Sequence, residues 1–201
     1  MPRPLIAADA IYERALTLLD TEGVESLTTR RLAGELKIST RTLYQQIGSL
    51  DSLIRALVAR HLSQLRVEFQ LRESWEATAE QWCHHLREAL FAHPHLTELM
   101  TNDDAASIMD YLGDLIDVSV REGIPPRVAL DCSRALVNLT INHTVMEVRG
   151  LREPKLSRES SDAELESETN FGRSVGWILA GVLAETRATN TLVPAATQGY
   201  G

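Results

Sequence analysis

Apolar side chains recur along this chain at intervals of three and four residues and hardly ever alternate one by one, which predicts helices rather than strands. Residues Ala7–Glu22 carry Ile11, Ala15, Leu18 and Leu19 on one stripe, followed by Gly23, which can close a helix in the left-handed region. Thr28 or Thr29 can cap a second, short helix with Leu32, Ala33 and Leu36 inward, after which Lys37-Ile38-Ser39 breaks the period. A third helix, Thr40–Ile47, turns only Leu43 and Ile47 inward and leaves its other faces polar. Ser49 then caps a longer stripe of Leu50, Leu53, Ile54, Leu57, Val58, Leu62 and Leu65.

Helical spacing continues through the rest. Trp75, Trp82, Leu86 and Leu90 line a helix bounded by Pro94, beyond which another begins. Asp103–Glu122 supplies Ile108, Tyr111, Leu112, Leu115 and Ile116, and Gly-Ile-Pro-Pro at 123–126 separates it from a long helix over 127–149 bearing Ala135, Leu136, Leu139, His143 and Met146. Residues 150–170 are polar and acidic without a period, and so read as a surface loop. A last helix follows over 170–188, and residues 190–201 read as a flexible tail. The expectation is an all-α chain: a three-helix head (1–50), a helical body (51–189) and the tail.

Charge sharpens the contrast between head and body. Of the 20 Lys/Arg and 28 Asp/Glu, residues 1–60 hold eight basic against seven acidic, and residues 61–201 twelve against twenty-one. Arg30, Arg31, Lys37 and Arg41 all lie around the two short helices. No apolar run is long enough for a membrane span and no secretory leader is evident, so a cytoplasmic chain without a membrane partner is expected. Two cysteines, Cys83 and Cys132, fit buried thiols better than a disulfide framework. His84, His85, His93 and His95 beside Cys83 invite a metal reading, but neighbouring helical residues point about 100° apart and share one ion poorly. No metal or cofactor is expected. Neither a nucleophile elbow, a P-loop, a zinc-protease motif nor a dinucleotide fingerprint occurs, so no enzyme is expected either.

Two short helices joined by a tight turn, the second rich in hydrogen-bonding side chains, are what a helix-turn-helix reader requires: the first braces, and the second lies in the major groove. The same pattern also fits an ordinary three-helix bundle with a solvated face. The stretch "LTTRRLAGELKISTRTLYQQIGSLDSLIRAL" resembles the DNA-binding domain of the TetR family of bacterial regulators, matching at Thr28, Leu32-Ala33, Thr42-Leu43-Tyr44 and Leu53. It departs from the family at Lys37, where Gly is usual, at Gln46-Ile47, where His-Phe is usual, and at Leu50, where the family has a phosphate-binding Lys.

The resemblance implies that Thr29, Thr42, Tyr44 and Gln46 contact phosphates of a double-stranded DNA operator, while Arg30, Thr40, Arg41 and Gln45 face base edges. It also implies a homodimer whose final helix, through Phe171, Val175, Ile178, Leu179 and Val182, joins its symmetry mate in a four-helix interface. Trp82, Leu86, Leu112, Asn138 and Asn142 are expected to converge on a pocket for an apolar small-molecule effector held by amide hydrogen bonds. At the positions where tetracycline-responsive members hold drug and metal, this chain has Arg66 and Trp82, which argues against that ligand. The expected function is a ligand-released repressor. The alternative is a helical small-molecule-binding or interaction protein without DNA affinity.

Overall fold

A computed structural model describes residues 6–64, 71–101, 104, 112–152 and 160–192. Among these, the chain forms α1 (Ala8–Glu22), α2 (Thr29–Glu35), α3 (Thr40–Ile47), α4 (Leu50–Gln64), α5 (Trp75–Phe91), α6 (Pro94–Glu98), α7 (Gly113–Arg121), α8 (Pro126–Arg152) and α9 (Ser160–Leu192), with no strand. The all-α expectation holds. Ile108, Tyr111, Leu65 and Arg66 lie outside the described residues.

Side-chain caps set several helix starts. Thr28, Ser39 and Ser74 each accept the backbone N–H of the third residue on, at Arg31, Thr42 and Ala77, and Ser49 accepts that of Ser52. A cap of this kind is worth about 1 kcal/mol. In the head, Ile11, Ala15, Leu18 and Leu19 of α1 pack with Leu32 and Ala33 of α2, Leu43 of α3 and Leu53 and Leu57 of α4, all nearly inaccessible. In the body, α8 is the central element, packed by α5, α6, α7 and α9.

Two expectations are corrected. The acidic stretch predicted as a loop is helical from Ser160 onward, because α9 begins eleven residues before its apolar stripe does at Phe171. Its residues Leu165, Glu166 and Glu168–Asn170 are exposed, and an exposed turn leaves no hydrophobic period to read. Asn190–Leu192 complete α9, and the rest of the tail lies outside the described residues.

Head meets body at α6, which packs on α1 and α4 on one side and on α8 on the other. At this seam His93 Nδ1 lies 2.9 Å from an Asp20 carboxylate oxygen, and the His61 ring of α4 meets the His93 ring edge-on at 4.9 Å. His61 Nε2 is buried without a hydrogen-bond partner. Burial, reinforced by His93 and opposed by Asp20, depresses the His61 pKa to about 4. The unfolded chain, with an ordinary imidazole, takes up this proton near pH 6.5, whereas the folded chain resists it until about pH 4. His61 therefore stabilises nothing by charging and costs stability as pH falls through that window. Melting temperature should drop between pH 6.5 and 4, and His61→Leu should flatten that limb in a calorimetric pH series; an unchanged slope would clear His61 of the effect.

Candidate nucleic-acid interface

α2 and α3 are joined by Leu36–Ser39, and the turn is made by Lys37 at φ 55°. This is the left-handed region, where a β-carbon crowds the following carbonyl and costs about 1–2 kcal/mol. Gly, usual here in the family the head resembles, avoids that cost; Lys37 keeps the turn and adds an exposed cation beside α3.

α3 buries Leu43 completely, with Ile47 half-buried. Thr40, Arg41, Tyr44 and Gln45 are exposed, and Thr42 is half-exposed with its hydroxyl 2.8 Å from Ser39 Oγ. Tyr44 Oη lies 3.4 Å from Thr29 Oγ1, so a phenol on α3 and a hydroxyl at the start of α2 stand side by side, where one phosphate could bridge them. Arg30 is exposed on the adjoining turn of α2. These seven expected residues other than Gln46 thus lie around α3 and the first turn of α2.

Gln46 does something else. Its amide donates to the Ile6 carbonyl at 2.8 Å, and its side chain is half-buried. The expectation of a phosphate contact placed this residue by family position alone; the structure engages its donor within the protein.

The basic cluster divides in two. Arg31 donates to Glu22 at 2.8 Å and lies 3.3 Å from Glu35, which also receives Arg14. Those hydrogen bonds and charges, Arg14 foremost, hold the Glu35 carboxyl below the usual carboxylate range. The network braces α2 against α1. Arg30, Lys37 and Arg41 have no acidic partner among the described residues, and all three are exposed.

In the body, the expected pocket residues do not converge. Trp82, Leu86 and Leu112 are core side chains at 4%, 1% and 0% exposure, whereas Asn138 and Asn142 are exposed on the outer face of α8 and bond one another, side chain to backbone, at 2.8 Å. Polar residues in an apolar helix read as core partners when the helix's second, solvent-facing stripe is overlooked. Asn142 does line an open cleft of about 270 Å³ with Met100, Thr101, Met146 and Arg149.

The expected interface residues of α9 are likewise already occupied. Phe171, Val175, Leu179 and Val182 are 0–8% exposed within one chain, with Ile178 half-buried. Phe171 is enclosed by His84, His143 and the Arg87 guanidinium, which itself donates to Glu147 at 2.9 Å in a nearly buried pair. The outer stripe was missed: Trp177 is 67% exposed, with exposed Gly176, Ala180, Gly181 and Ala184 beside it, and Met146 on α8 is also 67% exposed. The signal for it is the run of small residues around a lone Trp.

Among the described residues no cluster of three His, Cys, Asp or Glu could hold a metal. Cys83 is buried, and burial pushes its thiol up to about 12. No helix of the described residues is long and apolar enough to cross a membrane.

No family model matches the chain. Over 92 residues it is 37% identical to the tetracycline repressor protein class E of Escherichia coli, a match covering 44% of this chain and 43% of that protein. The fold extends the likeness to the body. Apo ActR from Streptomyces coelicolor superposes with a TM-score of 0.70 over 93% of this chain and 99% of its own, at 21% identity, and ActR has also been solved with (S)-DNPA. BioQ bound to its natural double-stranded DNA operator gives 0.68 over 89% and 99%, at 22% identity.

Replacing Lys37 by Gly should raise stability by about 1 kcal/mol, read by denaturant melts. A destabilised K37G would show that the Lys37 side chain contributes packing that outweighs the backbone strain.

Proposed function

We propose that this chain, which resembles the TetR family in the sequence of its head and shares that family's all-α architecture, is a homodimeric DNA-binding repressor released by a small-molecule effector. Residues 1–50 serve as the reading head and 51–189 as the effector and dimerisation body. The observation that carries this reading is the exposed, polar α3, capped by Ser39 and flanked by the unpaired cations Arg30, Lys37 and Arg41.

Each head would place α3 in a major groove. Arg41, in the first turn of α3, has the planar fork that matches guanine O6 and N7. Thr29 and Tyr44 would share a phosphate and fix register; Thr40, Thr42 and Gln45 complete the reading face. Two heads on one side of a duplex must sit about 34–36 Å apart, so the body acts by setting their separation.

The dimer would form through the outer faces of α8 and α9 rather than through the buried stripe. Trp177 and Met146 are the largest apolar groups exposed there, and Gly176, Ala180, Gly181 and Ala184 allow a second helix close approach. Asn138 and Asn142 share the same face of α8 as Met146, so they belong to this surface.

Effector release is supported by the joint between α4 and the body. Arg55 of α4 donates to the Leu99 carbonyl at 2.5 Å and to Asp104 at 2.7 Å, and Asp104 also accepts from Thr101, which lines the cleft beside α8. A ligand that displaces Leu99, Thr101 and Asp104 would move α4 and with it the head. The (S)-DNPA complex of ActR lends weight to a small-molecule input.

Arg41→Ala should relax preference at one base pair per half-site, worth about 1–3 kcal/mol, whereas Tyr44→Phe should weaken all sequences alike; affinities for a full set of single-base operator variants decide this. Uniform loss in both would make Arg41 a phosphate contact. Failure of the wild type to retard any fragment of its own upstream DNA would favour a binding protein without DNA affinity. Trp177→Asp should yield monomers in sedimentation, since it sets an unpaired charge in a desolvated interface; an unchanged dimer would move the interface elsewhere.

A further inference from the structure

Asn142, Val145, Met146 and Arg149 follow one another at helical spacing along α8, so they share one face of it. Met100 and Thr101, just past α6, line the other side of the open cleft of about 270 Å³, and Ile141 completes its lining. At interior packing density that space holds roughly ten non-hydrogen atoms. Met100, Ile141 and Val145 are almost wholly buried, so the floor is apolar, and Met146 adds an exposed apolar wall. Among these lining residues Arg149 carries the one charge.

Arg149 is held but not neutralised. Its Nη2 donates to the Glu98 carbonyl at 2.9 Å and to the Met100 carbonyl at 3.4 Å, and these uncharged groups are its partners among the described residues. The carboxylates of its surroundings are engaged elsewhere. Glu147, two residues before it, receives Arg87 at 2.9 Å, and Asp104 receives Arg55 at 2.7 Å together with the Thr101 backbone and hydroxyl. A guanidinium has five N–H donors, so two carbonyls at Nη2 leave those of Nε and Nη1 for an anion. The two tethers also lower the side-chain entropy that capturing an anion would cost.

We infer that this cleft binds a small carboxylate with an apolar tail, the carboxylate on Arg149 and the tail over Met100, Ile141, Val145 and Met146. The inference rests on the reading above that the body takes a small-molecule effector, and it names that effector's class. A carboxylate gains charge-assisted hydrogen bonds at Arg149 that a neutral compound of the same shape cannot make, and the apolar floor adds affinity in proportion to the tail it covers. Asn142 and Met146 also belong to the surface assigned to the dimer, so the ligand would be held beside that surface.

The test is calorimetric titration of the full-length protein, without DNA, with three probes. Octanoate has both charge and tail, octanamide keeps the tail and loses the charge, and acetate keeps the charge and loses the tail. Octanoate should bind at least about tenfold more tightly than either of the others. Arg149→Gln should bind octanoate and octanamide alike. Met146→Glu, a change at an exposed position one turn before Arg149, sets a competing carboxylate in the cleft and should remove the same preference even if Arg149→Gln does not fold. Wild type that binds octanoate no more tightly than octanamide or acetate, or binds none of them, overturns the assignment, as does a preference that survives in Met146→Glu or in folded Arg149→Gln. Any of these results leaves the repressor reading standing, because retardation of upstream DNA is measured without ligand. A wild type that retards no such fragment, yet prefers octanoate through Arg149, removes the repressor and keeps the carboxylate site.

Discussion

The end of α6 is gripped from two sides by arginines, and the relation of head to body depends on that grip. A helix leaves its last carbonyls without intrahelical partners, and its C-terminus carries partial negative charge. Here Arg55 from α4 donates to the Leu99 carbonyl, while Arg149 from α8 donates to Glu98 at 2.9 Å and more distantly to Met100. Three successive carbonyls are thus shared between the helix that leaves the head and the central helix of the body. Asp104 completes the arrangement by drawing Arg55 towards Thr101. Because α6 is only five residues long, it has few internal hydrogen bonds to resist a displacement at either end, and the two guanidinium groups hold what the helix itself cannot.

The same seam explains why the His61–His93–Asp20 group sits where it does. α1, α4 and α6 meet there with mostly apolar neighbours, and a histidine in such a place stays neutral because burial penalises its charge. The head is therefore fastened to the body by paired arginines at one end of α6 and by neutral and hydrogen-bonded imidazoles at the other.

Much of this was legible in the sequence because local rules govern it. The caps at Thr28 and Ser49 precede their helices by one position, and the stripes of α1, α2 and α3 bury the residues their spacing indicates. What was not legible depended on which of two apolar stripes a helix buries against its own chain. In α9 the larger residues Phe171, Val175 and Leu179 serve the core, leaving Trp177 and the small residues outward; spacing alone ranks the greasier stripe first whichever partner covers it. Gln46 failed for a different reason, since a family position says where the residue lies but not that a chain segment forty residues earlier will take its donor. The start of α9 was hidden by exposure, although its run of Ala, Glu and Leu after serines has good helix propensity.

The acidity of the chain is compatible with an anionic partner once pairing is considered. Glu22 and Glu35 neutralise Arg31 and Arg14, which brace α2, and so remove from the head's field the cations that serve the fold. The cations left unpaired are exposed on α2, the turn and α3. Sequence-independent affinity for DNA scales with the number of phosphates a protein neutralises, so under the proposed function a head with few free cations on a body with excess carboxylates would bind random DNA weakly. Discrimination then falls to contacts that need the correct bases. In such a protein each reading arginine weighs more heavily than it would on a strongly basic surface, because little uniform attraction remains to mask its loss.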